Sequence, residues 1–177
     1  MPTEISGSTG VNKITDGTIV NADIGSSAAI ATTKLGTGAV VQVVQTGSFA
    51  RTETTSSSWV ATNNTLAITP SATSSKVLIQ VTNHCRIADS GSYMRFGVRL
   101  KRGSTVIWNS DGTGESFQVR NANNEHDTVA HISYLDSPST TSATTYTFEV
   151  IKHVDCDTLY AFESIMGANM ILMEIAG

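Results

Sequence analysis

A chain of 177 residues is long enough for one domain with its own core plus a tail, and at that size no metal or disulfide framework is required. Only 15% of the residues are charged and 6% aromatic, while Ser and Thr make up roughly a quarter, a mix that suits strands and polar turns and disfavours long surface helices. The net charge of −4, with Lys and Arg scattered, excludes a basic face for nucleic acid.

The opening Met1-Pro2-Thr3-Glu4 has neither the basic nor the apolar region of a signal peptide, so no export address is expected. Residues 1–37 are small, polar and Gly-rich, contain no aromatic residue, and cannot bury enough apolar surface to fold alone. Within them large apolar residues recur about every five positions, at Ile14, Ile19, Ile24, Ile30 and Leu35, a spacing that fits neither a helix nor a strand. This pattern predicts an extended N-terminal docking arm whose aliphatic side chains drop one by one into pockets on another chain or on its own mates. Each burial is worth about 1.5–3 kcal/mol, and several anchors repeated in several copies give avid attachment. Ser26 or Ser27 is placed to cap one or two helical turns that end near Lys34.

From about Val40 the pattern becomes alternating, and residues 38–177 are predicted to form one head domain. Strands are expected over Ala39–Phe49, Ser58–Ala61 and Thr65–Thr69. In the next, Val77, Ile79, Val81, Cys85 and Ile87 face one way while Lys76, Gln80, Thr82, His84 and Arg86 face the other, with Leu78 the exception. Met94, Phe96, Val98 and Leu100 alternate likewise with Tyr93, Arg95, Arg99 and Lys101. That strand should turn at Arg102-Gly103-Ser104 into Thr105–Trp108, with Gly103 supplying a positive φ. Further strands are expected at Ser116–Arg120, Thr128–Leu135, Thr144–Val154, Leu159–Ile165 and Asn169–Ile175, separated by spacers such as Pro70–Ser75, Asn109–Gly112, Asn121–Asn124 and Asp136–Ser139. Many short strands without intervening helices predict an all-β fold, an antiparallel β-sandwich or jelly roll, and no repeat points to a solenoid or propeller. Asn169–Ile175 is apolar on both faces, which predicts a strand central in a sheet or covered by a neighbouring subunit. Its longest apolar run is far below the ~18 residues of a membrane span, so no membrane partner is expected.

No nucleophile elbow, phosphate loop, dinucleotide fingerprint or metal-binding helix motif occurs, so neither an enzyme nor a cofactor is expected. Glu115, Glu149, Asp155 and Glu163 show no arrangement that predicts the paired carboxylates of a glycosidase. His153-Val154-Asp155-Cys156-Asp157 packs four potential ligands into five residues, but zinc sites gather ligands from two elements, and a polar loop end beside a buried Cys is the plainer reading, with no metal. Asn121–Asp127 has the oxygens of a Ca²⁺ or sugar loop, against which stands an ordinary solvated turn. Trp108, Asn123, Asn124 and His126 form the candidate surface-binding set, although Trp59 and Trp108 suit core or subunit packing better than glycan stacking. His84 and His131 read as outward-facing strand residues. Cys85 and Cys156 read as thiols, with a single long-range bridge left open.

Two stretches carry a resemblance. Val11–Ile24, continuing through Ala28–Ala31 to Lys34-Leu35, resembles the spacer near the N-termini or in the shafts of tailed-bacteriophage fibre and virion proteins. Leu66–Ile79 and the ending Met173-Glu174-Ile175-Ala176-Gly177 resemble a globular fibre-tip module of marine and freshwater phages, cyanophages among them. The resemblance implies a homotrimeric, non-enzymatic virion protein assembled in the host cytoplasm. Its arms would dock on other virion proteins, and its β-sandwich heads would project toward the host and its surface glycans. The absence of a long shaft shifts the expectation from a full-length tail fibre toward a short head fibre or capsid decoration protein. The alternative is a monomeric, lectin-like carbohydrate-binding module.

Overall fold

The computed structural model describes residues 36–47, 50–89, 93–110, 117–120, 124–153, 156–161 and 168–177. The arm positions Ile14, Ile19, Ile24, Ile30 and Leu35 therefore lie outside the described residues, as does Asn123.

Eleven strands and no helix are found among the described residues: β1 (Val40–Gly47), β2 (Thr52–Thr54), β3 (Val60–Ile68), β4 (Lys76–Asp89), β5 (Tyr93–Arg102), β6 (Thr105–Asn109), β7 (Phe117–Arg120), β8 (Asn124–Asp136), β9 (Thr144–Lys152), β10 (Thr158–Ala161) and β11 (Ala168–Ile175). All pairings are antiparallel. They make a six-stranded sheet, ordered β1-β11-β4-β10-β2 with β8 on the other edge of β4, and a five-stranded sheet, ordered β3-β9-β5-β6 with β7 also on β5.

The register shows a simpler plan beneath that order. β11 pairs with the first half of β4 and β10 with its second half, while β1 and β2 lie outside them in the same sequence. In the other sheet β7 and β6 share one edge of β5. Treating β1 with β2, β6 with β7 and β10 with β11 as interrupted single strands leaves eight, four in each sheet. Numbered along the chain they run 1-8-3-6 and 2-7-4-5, which is the jelly-roll order, so the all-β sandwich expected from the sequence is the fold.

Alternation drives the packing. Val77, Ile79, Val81, Cys85 and Ile87 of β4 meet Met170 and Leu172 of β11 on one wall, and Phe96, Val98 and Leu100 of β5 meet Tyr146, Phe148 and Val150 of β9 on the other. All of these are fully buried and together form the core. At the β5–β6 hairpin, Gly103 has φ +55° in a two-residue loop, as the sequence predicts.

Several boundaries differ from the sequence-based expectation. The segments Ser58–Ala61 and Thr65–Thr69 are one strand, because a bulge between Ala61 and Thr65 absorbs the break in alternation; the Thr62 hydroxyl donates to Phe148 O at 2.7 Å and keeps the strand attached there. β2 is too short to show any period. β8 begins four residues before Thr128, so Asn124–Asp127 is strand rather than turn, its charged side chains matched to β4. Leu159–Ile165 is strand only from Thr158 to Ala161 among the described residues. β11 is central, between β1 and β4, but its two faces are not equally covered: Ala168, Met170, Leu172 and Glu174 are buried while Asn169, Ile171, Met173 and Ile175 are half-buried.

Candidate functional site

The candidate surface-binding set does not assemble. Trp108 pairs with Leu100 and packs half-buried against the core from β6 of the five-stranded sheet. His126 is exposed on β8 of the other sheet, opposite Ile87, and Asn124 pairs through its backbone with Asp89. Among the described residues no hydrogen bond, ion pair or ring contact joins Trp108 to His126. Glu125 pairs with Arg86, and Asp127 Oδ1 stands 3.1 Å from His84 Nε2, so both carboxylates of the supposed loop are held by β4. His84 is itself buried rather than solvent-facing, on β4 opposite Val129 and within 3.1 Å of the Asp127 carboxylate. Its contact with Asp127 has ion-pair distance but not hydrogen-bond alignment. His131 is exposed as expected, with Nδ1 3.1 Å from the Thr82 hydroxyl.

Of the His153–Asp157 cluster, Val154 and Asp155 lie outside the described residues. Cys156 N donates to His153 O at 3.1 Å, Cys156 is buried, Asp157 is exposed, and among the described residues no three potential ligands gather as a metal group would require. The Cys156 thiol is bracketed by the backbone of Arg95, accepting from its N–H at 2.9 Å and donating to its carbonyl at 3.0 Å. Both cysteines are free thiols. Burial pushes the Cys85 thiol up to about 12 despite the opposing Asn83 hydrogen bond, so it is inert as a nucleophile.

Three buried carboxylates are engaged with neighbours in the fold. Glu149 meets Arg99 at 2.5 Å and Lys101 at 3.4 Å, and the Arg99 guanidinium lies 4.3 Å from the Trp59 ring, which assigns Trp59 to packing. Asp136 of β8 accepts from Arg102 of β5 at 2.9 Å and from Tyr146 of β9 at 2.8 Å, joining the two sheets; burial and the hydrogen bond to Asp136 hold the Tyr146 phenol well above its usual range. Glu174 is fully buried and accepts from Ser71 N at 2.7 Å, Ser71 Oγ at 2.6 Å, Ser75 Oγ at 2.7 Å and Gln42 Nε2 at 2.6 Å. Burial raises its pKa, but the four donors outweigh burial and hold the carboxyl at about 2. The Leu66–Ile79 and Met173–Gly177 stretches thus interlock through one carboxylate. Isolated in the sequence, Glu174 gave no sign of this, since its donors lie about a hundred residues away.

What stands out on the surface is apolar. Five large hydrophobic residues are exposed among the described residues: Val40, Val43, Val106, Val129 and Leu135. All but Val106 lie on the outer face of the six-stranded sheet. The register places Val43, Met173, Leu78 and Leu135 in one row across β1, β11, β4 and β8, with Val40 and Ile175 on one side of it and Ile171 on the other. Between Lys76 at one rim and Arg86 with Glu125 and Asp127 at the other, this face carries no Asp, Glu, Lys or Arg.

No family model and no curated protein matches the sequence. Among solved structures that match is a chain from the structure of infectious bursal disease virus Gx strain, with 8% sequence identity and a TM-score of 0.45. The alignment covers 77% of this chain and 32% of that one, so this chain spans about a third of the neighbour's length.

Proposed function

We propose that the chain is a non-enzymatic structural protein of a tailed-phage virion. It acts as a homotrimeric tail fibre, short head fibre or capsid decoration protein whose N-terminal arm docks on the particle and whose jelly-roll head projects from it. The observation that carries this reading is the interlock at Glu174: the two stretches that resemble a phage fibre-tip module are joined by the buried Glu174 carboxylate, which accepts from the buried Ser75 and the exposed Ser71. The engagement of Glu149, Asp136 and Glu174 with structural partners supports a role without catalysis. The lectin-like alternative is less well supported, because Trp108 packs its ring against the core.

Deleting residues 1–37 tests the docking role. The expected outcome is a folded head that no longer incorporates into particles, scored by its presence on purified virions. A truncated head that enters virions at the full-length level would sink the docking assignment.

A further inference from the structure

We infer that the outer face of the six-stranded sheet is the surface through which copies of this chain pack on one another. The inference rests on the virion reading and adds a twofold contact to it: a face that meets its own copy pairs two chains, and it is not the threefold contact of the proposed trimer. Three of the five exposed large hydrophobics among the described residues, Val40, Val43 and Leu135, lie there in two adjoining rows, Val43 and Leu135 at the two ends of one of them, while Val129 stands three rows away opposite His84. Monomeric proteins keep contiguous exposed apolar patches small, and patches that are larger and rimmed by polar residues mark interaction sites. Here the rim is in place: Lys76 closes one end, and Arg86 paired with Glu125 closes the other.

The dimensions suit a second copy. Four strands at ~4.8 Å spacing give a width of about 19 Å, and the eight residues of β4 that pair with β11 give a length of about 27 Å at ~3.4 Å per residue. The flat footprint is therefore roughly 500 Å² per copy, and two copies remove about 1,000 Å² before the relief of the side chains is added, the threshold for a specific interface. The chemistry suits it as well. Between its rims the face has no carboxylate, Lys or Arg with which to recognise a charged ligand. The apolar rows are flanked by the uncharged polar side chains of Gln45, Gln80 and Ser133, so a second copy can meet this face without bringing one Lys, Arg, Asp or Glu against its like.

The test uses the full-length chain and its Val43→Glu/Leu135→Glu variant, with Val106→Glu on the opposite sheet as control. All three positions are 43–55% exposed in the single chain, so the fold tolerates the change. Sedimentation equilibrium should show the unaltered chain and the control at twice the mass of the double variant, with the dissociation constant of the pairing step raised at least ~100-fold in the variant. Met173, half-buried in the middle of the row, should resist peroxide oxidation in the oligomer and oxidise readily in the variant. A double variant that assembles like the unaltered chain overturns the assigned face and leaves the virion reading intact. An unaltered chain that stays monomeric overturns self-association altogether. If Met173 is nevertheless protected in that monomer, the face is covered by the chain's own first 35 residues, which also overturns the inference.

Discussion

Burying a carboxylate opposes folding unless donors replace the water it loses, and Glu174 has four of them. Because its folded pKa of about 2 lies below its ordinary 4.5, its contribution to stability is fully present above about 4.5 and fades as pH falls toward 2. Glu174→Gln keeps the shape but removes the charge and turns an amide N–H₂ toward at least one existing donor, so a loss of about 2 kcal/mol is expected near neutral pH. Denaturant melts of the two proteins should show that gap shrinking as the solution is acidified through that window. A gap that does not change with pH would mean the carboxylate is not held as an anion. No sequence pattern marks this residue, since a lone Glu in an apolar run reads as an outward-facing side chain. The buried side chains of β4 and β5 are the opposite case: their position follows from alternation alone, because each residue's face is set by its neighbours in the chain.

At the level of the element, the clearest local signal is the β5–β6 turn. With φ at +55°, Gly103 occupies a region that costs an L-residue about 1–2 kcal/mol. Gly103→Ala should lower stability by that amount, and Gly103→Asn by distinctly less, in urea unfolding at constant m-value. Equal losses for the two would show that something other than backbone conformation selects the glycine. Turn chemistry of this kind is local and therefore legible. What was not legible depended on partners distant in sequence. The extension of β8 to Asn124 is decided by Arg86 and His84 across the ladder, not by anything in Asn124–Asp127. The bulge in β3 depends on the Phe148 carbonyl, and β2 exists only because β10 lies beside it. The same reason explains the surface set: Trp108 has the composition of a ligand platform, but its surroundings make it a packing residue.

For the whole molecule, the two sheets are held by more than their core. Arg102, Asp136 and Tyr146 join β5, β8 and β9 across the sandwich, with Asp136 only 6% exposed. Arg102→Leu leaves that carboxylate without its cation and should destabilise by about 3 kcal/mol, whereas Arg102→Leu combined with Asp136→Asn should recover part of the loss. Strict additivity in this double-mutant cycle would mean that the pair is not coupled. The exposed apolar face belongs to this scale too. Its residues come from β1, β4, β8 and β11, so the patch exists only once the register has brought four distant segments into line.

The described chain enters and leaves the jelly roll at the same place. Gly38 N donates to Ala176 O at 2.7 Å and Ala176 N to Ala39 O at 2.8 Å, so the start of β1 and the end of β11 are tied side by side. A pull applied between these two points would open the β1–β11 ladder like a zip, breaking its hydrogen bonds one at a time, instead of shearing them all together. Mechanical resistance along that line would therefore be low. A tag fused after Gly177 would leave the domain at the end where Gly38 and Ala39 are tied to Ala176.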